Sequence, residues 1–306
     1  MILCLGLAPA LQRTLLFNSF ELNEVNRSSR VVLSAAGKPL NTARAVAALG
    51  GESWVAGVNG GQNGENVIRF IDDYGVVSAL TPMSAETRIC STLIDEKSGE
   101  VTEIVEEAPQ PSDSEIKVFV ENNIELIKRC RILVISGTLP PYAGDDFYRH
   151  FTSVAAHSGI PVVIDSHKNA LLSVLPDKPL MAKFNRRELE DTFGCAAEND
   201  DKIQEMLKRI IECGAKSVFM TQGKDDAWLV NENQTIKLTP PEIDRHLNPI
   251  GSGDCTSAGI AYKLSQGGSL EEAARFGLAC GSANVETLLP AELNPDRVYE
   301  LLKSQL

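Results

Sequence analysis

Long apolar runs are missing from this 306-residue sequence: runs such as ILVIS at 132–136 and VVI at 162–164 are far short of the ~20 residues a membrane helix needs. The N-terminal MILCLGLAPA has no basic segment beside its apolar residues, so no secretory leader is expected and the cytosol is the default location. Cysteine is sparse and unpaired in pattern. The seven residues (Cys4, Cys90, Cys130, Cys195, Cys213, Cys255, Cys280) are odd in number, scattered and never in CxxC, which argues against a disulfide framework or a zinc site. The four histidines form no HxxxH or HxxE pattern and read as surface or capping residues. Positive charge is also short, with 29 Lys and Arg against 41 Asp and Glu, a net of −12. Such a field repels nucleic acid and anionic membrane, so neither is expected as a partner. An anionic small ligand is still compatible, provided that local Lys and Arg or helix-start N–H groups overcome the global sign.

What is present is an alternation of short β-type runs with longer amphipathic segments, without internal repeats or low-complexity blocks. Strands are predicted at Ile2–Leu7, Ser53–Val58, Ile132–Ser136, Pro161–Asp165, Leu180–Phe184 and Ser217–Thr221. Helices are predicted at Leu40–Leu49, Gly64–Asp73, Ser114–Lys128, Asp145–His157, Asp201–Cys213, Ser257–Ser265 and Leu270–Glu286. Continuously apolar strands separated by helices imply a parallel sheet buried on both faces, an α/β fold. Leu15–Leu33 and Thr87–Ile104 break this rhythm with alternating or β-branched residues and the turn EKSGE at 96–100. They predict a small antiparallel sheet that projects from the body and can lie across the ligand edge as a lid.

No GxxxxGK[ST] occurs, and ILCLGLAPAL stands where a dinucleotide fingerprint would follow the first strand. NPIGSGDCTSAG at 248–259 offers Gly251 and Gly253, which let backbone approach a ligand, at a helix start rich in free N–H groups. A phosphoryl group suits that geometry, and Asp254 can take a proton from an attacking hydroxyl, its carboxylate kept ionised by the helix dipole. On these residues alone a second reading stands beside it, in which Ser252 caps the helix and Asp254 complements its dipole.

Several further stretches, in order, resemble the PfkB carbohydrate kinases of the ribokinase-like superfamily. NPIGSGDCTSAGIAY is the most specific, joined by KFNRREL at 183–189, FMTQGKDDAWLV at 219–230 and SGTLPP at 136–141. Nearer the N-terminus stand APALQRT, VNRS, AAGKPLNTARAVAALG and TRIC. The phrasing is closest to the 1-phosphofructokinase and tagatose-6-phosphate kinase branch. The resemblance implies one ribokinase-like α/β domain over residues 1–306, a central mostly parallel sheet flanked by helices, with a β lid built from about 12–34 and 87–107. It implies a kinase that uses ATP and Mg²⁺ on a small sugar or sugar phosphate and that pairs as a homodimer through the lid. Asp254 would be the general base, with Gly251, Ser252 and Gly253 as anion hole. Lys183, Asn185 and Glu188 would lie near the ATP phosphates and Mg²⁺, Glu188 acting through water, and Thr221, Gly223 and Asn284 would line the nucleotide pocket. Gln12, Arg27, Gly37, Lys38, Asn41, Arg88, Ser136 and Gly137 would face the acceptor. Taken singly, Arg27 and Arg88 also read as solvated sheet residues, Asn41 as the cap of a helix beginning near Thr42, Asn185 as an N-cap and Glu188 as a solvent-face residue.

Departures from the family pattern concentrate on the acceptor side. N-P-A-x-D is replaced by Ala8-Pro9-Ala10-Leu11-Gln12, which exchanges an acidic hydrogen-bond acceptor for a neutral amide. G-G-K-G becomes Ala36-Gly37-Lys38-Pro39, and Pro39 cannot donate a backbone N–H. Two readings follow: a kinase with a different acceptor preference, another sugar or a nucleoside included, and a non-catalytic sugar-phosphate or nucleotide binder that keeps the fold. Retention of Asp254 with its glycines favours the kinase, since a binder needs no base.

Overall fold

In the computed structural model, which describes residues 1–305, the continuously apolar runs form strands buried on both faces. In chain order the elements begin with β1 (Ile2–Leu5), β2 (Ala10–Phe17), β3 (Arg30–Ala36), α1 (Lys38–Ala48), β4 (Ser53–Asn59), α2 (Gly61–Asp73), β5 (Val77–Pro82), β6 (Ile89–Asp95) and β7 (Val101–Val105). There follow α3 (Asp113–Ile127), β8 (Ile132–Ser136), α4 (Arg149–His157), β9 (Val162–Asp165), α5 (Lys168–Leu172), β10 (Met181–Asn185), α6 (Arg186–Phe193) and α7 (Asp200–Glu212). The rest comprises β11 (Ser217–Gln222), β12 (Asp225–Asn231), β13 (Thr235–Leu238), α8 (Ser252–Ser265), α9 (Leu270–Val285) and α10 (Pro295–Lys303).

Nine strands make one sheet in the order β13-β12-β11-β10-β9-β8-β1-β4-β5. It is parallel from β5 to β11, and β12 and β13 close one edge antiparallel. Period-2 alternation divides each strand between two cores. In β1, Ile2 and Cys4 join Leu40, Val46, Ile71 and Phe276 on one face, while Leu3 and Leu5 join Phe119, Phe151, Leu189 and Leu207 on the other. Full burial of each such side chain contributes about 1.5–3 kcal/mol. All seven cysteines are free thiols.

The second sheet has the order β3-β2-β6-β7. It differs from the expected antiparallel arrangement, because its central β2–β6 ladder is parallel. β2 and β6 each begin a separate excursion from the body, so they run outward side by side while β3 and β7 return. Boundaries differ elsewhere too. α1 starts at Lys38 and α8 at Ser252, both earlier than their apolar periodicity suggests, since their first turns include the polar residues Lys38, Ser252 and Asp254. The chain runs from β1 outward through β4 and β5, then restarts at β8 on the other side of β1. This switch point opens a crevice beyond the carboxyl ends of β1 and β8, the usual ligand position in open α/β sheets.

Candidate active site

A cavity of about 1070 Å³ occupies that crevice, between the large sheet and the small one. It is larger than a single small ligand requires. All the residues expected in the site line it except Arg27 and Asn284. Arg27 is exposed in the loop between β2 and β3, away from the cavity within this chain. Asn284 corrects the nucleotide-pocket expectation. It is fully buried, its Nδ2 donates to Ile250 O at 3.0 Å, and its Oδ1 accepts from Ala291 N–H at 2.6 Å, so it braces the wall from behind.

The end of the cavity expected to take the phosphate is built on α8. Gly251 is its N-cap, with φ at +86° and no side-chain cap, so the reading of Ser252 as a capping residue does not hold. Cys255 N–H makes the first helical bond, to Gly251 O at 2.9 Å, which leaves the Gly253 and Asp254 amides ahead of the ladder. Gly253 O accepts from Lys183 Nζ at 3.0 Å and from Ser257 Oγ at 3.1 Å, so the opposite side of that peptide, the Asp254 N–H, is held away from them. A side chain at Gly251 would put Cβ 2.9 Å from Ala291 N, on top of the strain of its positive φ.

Asp254, only 6% exposed, accepts from Asn41 Nδ2 at 2.7 Å. Asn41 is therefore no cap: its helix begins three residues earlier, with Gly37 as N-cap. Burial pushes the Asp254 carboxyl up to about 6, helped by the negative Asp165 and opposed by Lys38, the Asn41 hydrogen bond and Lys183. The helix dipole is expected to favour the ionised form, but desolvation outweighs it and raises the group. At neutral pH the group is still mainly ionised, near the optimum for a general base.

Asp165, absent from the sequence-based set, is the hub beneath Asp254. Fully buried at the end of β9, it accepts from Lys183 Nζ at 2.9 Å, Ser257 Oγ at 2.7 Å and Lys38 Nζ at 3.4 Å. Burial would raise its carboxyl, but the Lys183 and Lys38 charges and these hydrogen bonds hold it well below the usual carboxylate range. Lys38 also meets Glu188 Oε1 at 3.2 Å. Burial works against the Lys38 ammonium, yet Asp165, Glu188 and Asp254 outweigh it and keep the lysine charged. Asn185 and Glu188 form a reciprocal capping box on α6, and Glu188 still turns its second oxygen to Lys38, so it is not a solvent-face residue. His167 departs from its expected surface or capping role: it stands at the start of α5 without a cap bond, half-buried, with Nδ1 3.8 Å from Glu188 Oε1. Thr221 and Gly223 reach the cavity from the β11–β12 turn.

The end expected to face the acceptor is walled by the small sheet. Gln12 is buried and donates Nε2 to Thr92 Oγ1 at 2.7 Å. Arg88 donates to Glu106 O at 2.9 Å and Ala8 O at 3.0 Å, so it pins the small sheet to the body as well as facing the cavity. Gly37 has φ at +105°, and a Cβ there would lie 2.6 Å from Ala8 O. Pro39 falls in the first turn of α1, where no helical N–H bond is lost, though one donor is removed from the cavity wall. Ser136, at the end of β8, is buried with its Oγ unpartnered, and Gly137 O accepts from Tyr148 OH at 3.1 Å.

Comparison with known proteins gives a consistent outcome. The model of the pfkB family carbohydrate kinases matches residues 1–297. The tagatose-6-phosphate kinase of Staphylococcus epidermidis is 30% identical over 306 residues, covering 99% of this chain and 98% of that protein. Among solved structures, phosphofructokinase-2 from Escherichia coli in complex with fructose-6-phosphate matches with TM-score 0.89 and 27% identity, over 100% of this chain and 98% of that one. Arabidopsis thaliana ribokinase complexed with ribose and ATP matches with TM-score 0.78 over 99% and 98% of the two chains. At 18% identity that likeness shows the fold, which is ribokinase-like.

Proposed function

Because the chain belongs to the pfkB family of carbohydrate kinases, we propose that it transfers the γ-phosphoryl group of ATP to a primary hydroxyl of a ketohexose phosphate, with Asp254 as general base. The observation that carries this reading is the buried Asp254 at the open start of α8, oriented by Asn41 and raised to about 6. A carboxylate in that state accepts a hydroxyl proton at neutral pH, while the Gly253 and Asp254 amides and the Gly251 turn stabilise charge on the moving phosphoryl group. Lys183 orients that peptide through Gly253 O, and Lys38, which lines the cavity, is tied to Asp165 and Glu188. The tagatose-6-phosphate kinase relative and the fructose-6-phosphate complex support a sugar phosphate as acceptor.

Mg²⁺ fits the donor set. Among the described residues no group of three or more His, Cys, Asp and Glu could hold a metal. Glu188 lines the cavity and offers one carboxylate, which suits a cation that takes one or two carboxylates and otherwise phosphate oxygens and water. Glu188 would hold it through water, and the ion, when bound, neutralises negative charge on the ATP phosphates.

The small sheet, residues 12–34 and 87–107, acts in this reading as a lid on a single kinase domain, excluding water once the acceptor is bound. Its other face exposes Val31, Leu33 and Ile104, at 45%, 45% and 55%, which supports pairing of two copies through the lid. Among the described residues no helix is long and apolar enough to cross a membrane.

ATP consumption against tagatose 6-phosphate, fructose 6-phosphate, fructose 1-phosphate, free hexoses and nucleosides tests the proposal, with Asp254→Asn beside the wild type. Normal turnover by the variant removes Asp254 from its role. Tight ligand binding with no turnover on any acceptor favours the binding-protein reading, to which the neutral Gln12 and the lost donor at Pro39 lend support.

A further inference from the structure

Helix α1 contributes to the site at three successive levels. Lys38, Asn41 and Arg44 recur every three residues and so share a continuous stripe along the helix. Lys38 meets Asp165 and Glu188, and Asn41 holds Asp254. Arg44, the residue that no motif reading used, donates Nη1 to the carbonyl of Pro290 at 2.9 Å. Its guanidinium lies over the Tyr74 ring, 4.2 Å from the centroid, so the plane is fixed as well as the hydrogen bond.

Pro290 and Ala291 form the wall behind Gly251. A Cβ on that glycine would come within 2.9 Å of Ala291 N and 3.0 Å of Pro290 Cβ, so no slack separates wall and anion hole. Ala291 is fully buried and holds φ at +57°, a left-handed conformation unusual for a residue with a side chain. Such a conformation persists only when its surroundings over-determine it. Its N–H goes to Asn284 Oδ1 at 2.6 Å, Asn284 Nδ2 goes to Ile250 O at 3.0 Å, and Arg44 supplies the tie from the other side.

We propose that Arg44 is a positioning residue for phosphoryl transfer: it ties α1 to the Pro290–Ala291 wall, so that one helix sets both the base, through Asn41, and the anion hole, through Gly251. This rests on the kinase reading of the same site. It gives the N-terminus of α1, where Gly37 and Lys38 face the acceptor, a rigid connection to the place where the phosphoryl group is held. Loss of the tie lets the two halves of the site drift apart without removing any group that touches a substrate.

The test compares wild type, Arg44→Ala, Arg44→Lys and Asp254→Asn with ATP and tagatose 6-phosphate or fructose 6-phosphate. Arg44→Ala is expected to lower kcat roughly tenfold to a hundredfold, the scale of a misplaced catalytic constellation, with both KM values held within about threefold. Millimolar guanidinium should restore part of that loss, and Arg44→Lys should lose less, since an ammonium still donates to the carbonyl. Hydrogen exchange, which needs no turnover, should show faster exchange at 250–255 and 288–291 in Arg44→Ala, with the strands of the large sheet unchanged. Wild-type kcat, a loss confined to KM, or a loss that tracks the unfolded fraction and ignores guanidinium overturns the proposal. Unchanged protection at 250–255 and 288–291 overturns it even if neither acceptor is turned over. If the wild type turns over no acceptor, the kinase reading falls and this proposal with it; if Asp254→Asn turns over normally, only the role of Asp254 falls; if only Arg44→Ala behaves as wild type, the kinase reading survives alone.

Discussion

Replacing Asp254 by Asn should abolish turnover and at the same time stabilise the protein. Its carboxyl rises from 3.8 to about 6 on folding, with burial as the largest cause. That difference corresponds to about 3 kcal/mol of unfavourable folding energy for the ionised form. The folded state binds this proton more tightly than the unfolded chain does. The group therefore favours folding fully below pH 4, and the advantage drains away as pH rises through 6. Asn does not titrate and keeps an oxygen for the Asn41 bond of 2.7 Å, although its new NH₂ group in a buried site gives back about 1 kcal/mol or more. The net gain at pH 8 is about 1–2 kcal/mol, or a Tm higher by roughly 1.5–3 °C at the entropy expected for this chain length. Thermal unfolding of wild type and variant from pH 4 to pH 8 measures it. The gap should widen as pH rises through 6 and close toward pH 4. A variant that melts at or below the wild type at pH 8, or a gap independent of pH, refutes the claim that desolvation controls this carboxylate. In the wild type, kcat/KM should rise with pH through about 6, and the variant should lose about 10²-fold or more.

Lys38→Met removes the largest influence holding Asp254 down, so the acidic limb of the pH–rate profile should move above 6, read from kcat/KM against pH. Gly251→Ala must fit a Cβ 2.9 Å from Ala291 N at φ +86°; a loss of about 1–3 kcal/mol in denaturant unfolding and a fall in kcat are expected, while wild-type values for both would contradict the tight wall. Gln12→Asp introduces the carboxylate usual in the family beside Thr92, and activity on fructose 1-phosphate should rise; an unchanged acceptor profile counts against Gln12 as the cause of altered preference.

Much of the layered fold was legible because β-strand alternation and helix capping are local. Ile132–Ser136 and the strands around it could end up only as buried parallel strands, given their continuous apolar character. The small sheet was foreseen, but the direction of its central ladder was not. Strand polarity within a sheet depends on where the connections between β3 and β6 run, and no local pattern encodes that. Most of the residues expected in the site through ordered motifs line the cavity. Asp165 was not expected, because a single aspartate in VVIDSHK has no periodic or spacing signal until Lys38, Lys183 and Ser257 reach it from distant segments. Asn284 was misplaced for the opposite reason: its position in the chain follows the motif, while its side chain faces the wall.

By itself the sequence determined the α/β class, the glycines that open the start of α8, and the aspartate that follows them. These depend on residue type and near-neighbour order, through backbone freedom, helix-end chemistry and burial of apolar runs. The tertiary structure alone decided the state of that aspartate. Its burial, the opposing pull of Lys38 and Lys183, the Asn41 bond and the wall behind Gly251 all come from segments far apart in the chain. Desolvation and Coulomb energies depend on distance in space, and distance along the chain does not report it.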